Sequence, residues 1–237
     1  MKILVKIGDL FEAEKLIPVQ SAHVSGVSYK TLGDAPIEFL EALVDKGAKS
    51  KTASTANPSG LDYEGLMEAA VSGNIREKQA KIVELYQRMG IKPVLTCTPY
   101  YISKPQQGSH LAWAESSAVI YANSVLGSWT NREGGPSALA SALIGKTPDY
   151  GMHEPENRKP NIRIKVEADL RNEAEFGALG IHLGKNLVDK VPIIEGLHGS
   201  RETDLKQLGA ALASSGMTTI FFIPATVAQR MRRNLKP

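Results

Sequence analysis

The chain has 237 residues, 42% of them hydrophobic and 22% charged, a balance that suits a globular protein able to bury roughly 70% of its unfolded surface without a disulfide or structural metal. Its 28 basic and 25 acidic residues leave a formal charge of +3, too little for a nucleic-acid footprint and a better match to anionic small molecules. Cys97 is the only cysteine, which rules out an intrachain disulfide, and Lys2 and Lys6 interrupt an opening stretch that fits neither a signal peptide nor a membrane span, so a cytoplasmic protein is expected.

Ile3, Ile7, Leu10 and Phe11 recur at helical spacing and predict an amphipathic helix that ends before Pro18. Asp34 is placed to cap a second helix, with Pro36 in its first turn, Ile37, Leu40, Leu43 and Val44 on one face, and Gly47 at its stop. Residues 48–55 then read as a strand. A third helix carries Ile75, Gln79, Ile82, Val83, Tyr86 and Met89, is closed by Gly90, and leads into an expected strand over 94–98. Residues 113–126 read as helical, Pro136 opens a helix to Ile144, and 162–168 alternates as a strand. Helices over 174–188 and 203–215 and strands over 191–195 and 217–223 complete the pattern. Such alternation predicts an α/β fold with a mostly parallel or mixed sheet flanked by helices. The expected layout is a lobe over 1–145, a linker-like piece rich in Pro, Gly and charge over 146–160, a second, incomplete α/β segment over 161–223, and a basic tail over 224–237.

Ligands of α/β folds bind beyond the carboxyl ends of strands, which directs attention to four polar loops. Gln20–Thr31 holds Ser21, His23, Ser25, Gly26 and Ser28, a hydroxyl-rich turn whose glycine would let backbone N–H groups approach an anion, or simply a surface turn. Asn57-Pro58 starts a turn and reads equally as a strand end. Glu115 and Ser116 open a helix, where free N–H groups hold anions, although Glu115 also suits the helix dipole. Asn131 and Arg132 sit in a glycine-rich turn, where a guanidinium could bind carboxylate or phosphate or make a structural salt bridge. Cys97 follows an apolar segment and precedes Thr98-Pro99, a position for a metal-binding thiolate as well as for buried filler. A cysteine nucleophile paired with His23 or His110 has no local signature, and no nucleotide-binding, zinc or nucleophile-elbow motif is present.

Taken together and in order, SAHVSGVSYKTLGD at Ser21, TANPSGLD at Thr55, TCTPY at Thr96 and WAESSAVIYANSVLGSWTNREGGPSALASAL from Trp113 resemble the large subunits of the aconitase X family over a stretch reaching about Leu212. The resemblance implies an aconitase-like layered fold and an iron–sulfur hydro-lyase. It makes Cys97 one of three cysteine ligands of a 4Fe-4S cluster. It gives substrate contacts to Gly26, Val27, Ser28, Asn57, Pro58, Glu115 and Ser116, with Ser21, His23, Ser25, Asn131 and Arg132 as secondary candidates. No catalytic base is expected in this chain, because the family's base is a serine on a separate small subunit with a swivelling domain. The SGVSYKT form is nearer the archaeal two-subunit type, which implies (R)-5-phosphomevalonate as substrate in the mevalonate route to isoprenoids. The alternatives are cis-3-hydroxy-L-proline, or a non-catalytic α/β binding or assembly module that has lost the cluster.

Family large subunits extend beyond both ends of this chain, so a fragment is expected, whose remainder carries the other two cysteines. PATVAQRMRRNLKP, after Ile223, departs from the family pattern.

Overall fold

A computed structural model describes residues 1–61 and 73–224, so most of the basic tail expected over 224–237 lies outside the described residues. The fold is of the expected α/β class, but among the described residues its strands form three small sheets in place of one. Two compact units divide the chain. One comprises Met1–Lys104, His110–Glu115 and Glu133–Tyr150; the other comprises Pro105–Ser109, Ser116–Arg132 and the chain from Gly151 onward.

The first unit begins with α1 (Lys2–Leu10), which buries Leu4 and sets Gly8 against Pro148. Next come β1 (Leu16–Pro18) and β2 (Ser21–Val24), followed by a one-turn helix α2 (Tyr29–Leu32) and α3 (Ala35–Asp45). Asp34 stands at the start of α3 without capping it through its side chain. Its carboxylate instead accepts hydrogen bonds at Oδ1 from Lys78 Nζ (2.6 Å) and Tyr29 OH (3.3 Å), and its backbone is helical (φ −82°, ψ −26°) where a capping residue is extended. Then β3 (Ala53–Ala56) and α4 (Gly73–Arg88) follow, and α4 ends ahead of Gly90, whose φ of +82° suits a residue without Cβ.

The strand expected over 94–98 does not form. Only Lys92 bridges to Thr55, and Leu95 takes a φ of +48°, which breaks extended geometry. The helix expected to begin at Trp113 begins later, because Trp113 ends β4 (Leu111–Trp113). Parallel strands need crossover connections, and the intervening helices provide them: β2 is central in the order β3-β2-β4, with His23 opposite both Thr55 and Trp113. A helix hydrophobic on every side has to be buried, which is the situation of α6 (Gly135–Ile144), buried continuously from Ser137 to Ala142 and packed on β2 and β4. β5 (Lys146–Pro148) pairs antiparallel with β1, so the piece expected as linker-like starts as a strand.

The second unit holds α5 (Ser116–Tyr121), continued by a π-helical turn over Ala122–Leu126, then β6 (Ile162–Lys165), α7 (Glu173–Asn186), β7 (Pro192–Glu195) and α8 (Glu202–Ser215). β6 and β7 pair in parallel. In place of the expected strand over 217–223, only Phe222 bridges to Ile193, while Phe221 and Ile223 are buried in the core with Ile194, Leu208 and Leu212. Among the described residues, no helix is long and apolar enough to cross a membrane.

Candidate functional site

The carboxyl ends of β2, β3 and β4 converge, because register places His23, Thr55 and Trp113 side by side. Ser21 and His23 belong to β2 and not to the turn after it, so the hydroxyl-rich loop proper is Ser25 to Ser28. His23 is fully buried and bridges its neighbours: Nδ1 lies 2.8 Å from Thr55 Oγ1 and Nε2 lies 2.9 Å from Asn57 Oδ1. Asn57 Nδ2 in turn donates to Glu115 Oε2 at 3.0 Å. Burial holds the His23 pKa below its ordinary value, against opposing contributions from Asn57, Glu115 and the backbone of Thr96. The residue before Cys97 therefore reaches the same cluster. Ser21 Oγ accepts a hydrogen bond from the buried Trp113 indole at 3.1 Å.

Beside this chain of polar contacts lies a cavity of about 530 Å³. Gly26, Val27, Ser28 and Pro58 line it together with Ser25, Thr31, Tyr86 and the apolar side chains of Leu32, Phe39, Leu40 and Leu139. Gly26 has a φ of +86°, the left-handed geometry that lets consecutive backbone N–H groups form an anion-binding concavity. Two further glycines hold the turn closely. A Cβ on Gly135 would stand 2.8 Å from the Ser25 carbonyl oxygen, and one on Gly60 would stand 2.7 Å from Ser28 Oγ.

Gln79 is a member of the site that the sequence pattern placed on an apolar helix face. Its buried amide donates from Nε2 to the Val27 carbonyl (2.7 Å) and accepts at Oε1 from the Tyr29 N–H (2.8 Å), bracketing Ser28. A polar residue among Ile82, Leu85, Tyr86 and Met89 was the available signal, since a buried amide must find partners. Glu133 does not line the cavity but is a second buried polar group of the same unit. It is buried, accepts from Ser137 Oγ (2.5 Å) and Thr147 Oγ1 (3.2 Å), and burial raises its pKa despite both hydrogen bonds.

Ser116, Asn131 and Arg132 belong to the second unit. Asn131 is buried and its Oδ1 accepts from the Met152 N–H at 2.7 Å, while exposed Arg132 donates to the Ala213 carbonyl at 3.3 Å. Cys97 is exposed, not filler, and among the described residues no three His, Cys, Asp or Glu side chains gather as a metal site.

Family models for the first and second domains of aconitase X match residues 1–156 and 160–232. The chain belongs to the aconitase X family. It is 47% identical to the phosphomevalonate dehydratase large subunit of Thermococcus kodakarensis over 94% of this chain and 56% of that protein. The corresponding large subunit of Methanothermobacter thermautotrophicus is 48% identical over 98% of this chain and 58% of its own length. The cis-3-hydroxy-L-proline dehydratase of Hypocrea jecorina is 34% identical over 94% of this chain and 38% of its own. The crystal structure of Thermococcus kodakaraensis aconitase X in its holo form superposes with a TM-score of 0.87 at 46% identity, covering 94% of this chain and 55% of that one. The chain thus spans little more than half the length of these large subunits. An iron–sulfur cluster needs about three or four protein ligands, so the donor set of this aconitase X chain, with Cys97 as its one thiolate, does not hold a cluster by itself.

Proposed function

We propose that this chain forms the substrate-binding part of a hydro-lyase that dehydrates (R)-5-phosphomevalonate to trans-anhydromevalonate 5-phosphate in an archaeal-type mevalonate route. The observation that carries the reading is the turn with left-handed Gly26 and with Ser28 bracketed by Gln79, next to the His23–Asn57–Glu115 chain. Identities of 47% and 48% to phosphomevalonate dehydratase large subunits, against 34% to a cis-3-hydroxy-L-proline dehydratase, favour this substrate over the cyclic hydroxy amino acid.

Elimination removes a proton from one carbon and the hydroxyl group from its neighbour, and the work of this chain is to bind and orient. Backbone N–H groups of Gly26, Val27 and Ser28 receive an anionic group of the substrate. Asn57, Pro58 and Glu115 form the facing wall, with Ser21 and Ser25 of the same unit as secondary candidates. Cys97 contributes one thiolate to a 4Fe-4S cluster whose other cysteines come from the remainder of the large subunit. A swivelling small subunit brings the base, and no nucleic acid or membrane takes part. The assembly works in the cytoplasm.

The test combines this chain with the complementing segment and the small subunit, anaerobically and with iron supplied. Turnover of (R)-5-phosphomevalonate is expected. No turnover would reject the reading, and turnover of cis-3-hydroxy-L-proline alone would transfer it to the other substrate.

A further inference from the structure

We infer that His23 is a positioning residue of this site: as its Nε2–H tautomer it orients the Asn57 amide, so that Asn57 presents its nitrogen, and not its oxygen, to Glu115. The inference rests on the proposed role of Asn57 and Glu115 as the wall that faces substrate.

The proton assignment follows from what each atom can do. An ionised carboxylate only accepts, so the Asn57 atom 3.0 Å from Glu115 Oε2 must be the amide nitrogen. Asn57 Oδ1 then faces His23, and an amide oxygen also only accepts. His23 Nε2, 2.9 Å away, must therefore carry the hydrogen. In a neutral imidazole the other nitrogen has a lone pair, and Thr55 Oγ1 at 2.8 Å donates its hydroxyl hydrogen to it. One arrangement thus satisfies the side-chain partners of both ring nitrogens, Thr55 and Asn57, together with the Glu115 carboxylate. Burial, which disfavours an imidazolium, acts in the same direction.

The ring is held in place for this task. His23 is fully buried at the end of the central strand, and the Trp113 ring meets it edge-on at 6.4 Å between centroids. Rotating the Asn57 amide by half a turn would set its oxygen against the Glu115 carboxylate and its NH2 against a ring N–H. Both contacts are repulsive, so the tautomer removes the alternative rotamer. In consequence the Asn57–Glu115 pair has a single orientation before any ligand arrives.

Two substitutions separate positioning from packing, because an Asn side chain reproduces the reach of Nδ1 and a Gln side chain that of Nε2. His23→Asn keeps an acceptor for Thr55 and loses the donor to Asn57; His23→Gln keeps the donor. In the assembled enzyme, kcat/KM on (R)-5-phosphomevalonate is expected to fall about ten- to hundredfold in His23→Asn and to return to within about threefold of the parent in His23→Gln. Equal losses in the two variants, or no loss in either, would overturn the inference. An independent readout uses this chain alone: with 15N-labelled histidine, the His23 spectrum at neutral pH is expected to show a protonated Nε2 and a bare Nδ1. A proton on Nδ1, or on both nitrogens, would also overturn it. This spectrum needs no turnover, so an inactive parent assembly would count against the proposed function and leave the tautomer to be read on its own.

Discussion

At the scale of single residues, the most consequential side chains are those whose polar atoms are buried and used in pairs. Gln79 satisfies both the Val27 carbonyl and the Tyr29 N–H, so Gln79→Leu keeps the apolar packing and strands two backbone groups. A loss of roughly 2–6 kcal/mol in urea unfolding is expected, on the basis of about 1–3 kcal/mol for each of the two groups, with higher KM in the assembled enzyme. A neutral result would mean that the loop holds its shape without Gln79. Glu133 supplies a pH dependence. Its folded pKa is raised above the ordinary 4.5, so between those two values the folded chain keeps a proton that the unfolded chain has lost. Stability is therefore expected to decline as pH rises through that window, and Glu133→Gln, which cannot titrate, should remove this part of the slope. Unfolding free energies of the two proteins that run parallel across the window would contradict this. The sequence pointed to Gly26, Val27, Ser28 and Pro58, which share one cavity, and to Asn57 and Glu115, which share a hydrogen bond. Gln79 escaped because its partner Val27 lies 52 positions away in the chain and leaves no local pattern.

Among the elements, long amphipathic helices were legible within a residue or two, as with α4, α7 and α8, because a 3.6-residue period accumulates over several turns. Short strands were not. Residues 94–98 and 217–223 are apolar enough for strands, yet the first makes no bridge, the neighbouring one being at Lys92, and the second makes one, at Phe222; a run of that length does not reveal whether a partner edge is free. Helix α7 shows what periodicity does disclose when glycine is read with it. Gly180 and Gly184 face α8 so closely that an added Cβ would lie 2.5 Å from the Leu208 carbonyl oxygen and 2.8 Å from that of Leu212. Alanine is otherwise the better helix former, so the geometry and the propensity make opposite predictions for Gly180→Ala. Overlap with backbone decides between them, and a destabilisation of about 1–3 kcal/mol is expected in thermal unfolding. A stabilised variant would show that α7 and α8 stand further apart than described.

For the whole molecule, the class of fold and the family were legible because four polar segments occur in one order and each follows or opens a defined element. The division into units was less so: Pro105–Ser109 and Ser116–Arg132 belong with the later chain, an interleaving that depends on contacts distant in sequence. Cys97 stands next to Thr96, whose backbone reaches the His23 cluster, so the proposed function needs Cys97 near the Gly26–Ser28 turn. Because Cys97 is exposed and is the only cysteine, a nitroxide label can be attached there without further mutation. Paramagnetic broadening of backbone amide resonances in the labelled chain is the measurement that tests this placement most directly. Strong broadening at Gly26, Val27, Ser28 and Asn57 is predicted, and broadening confined to the residues beside Cys97 in sequence would contradict it.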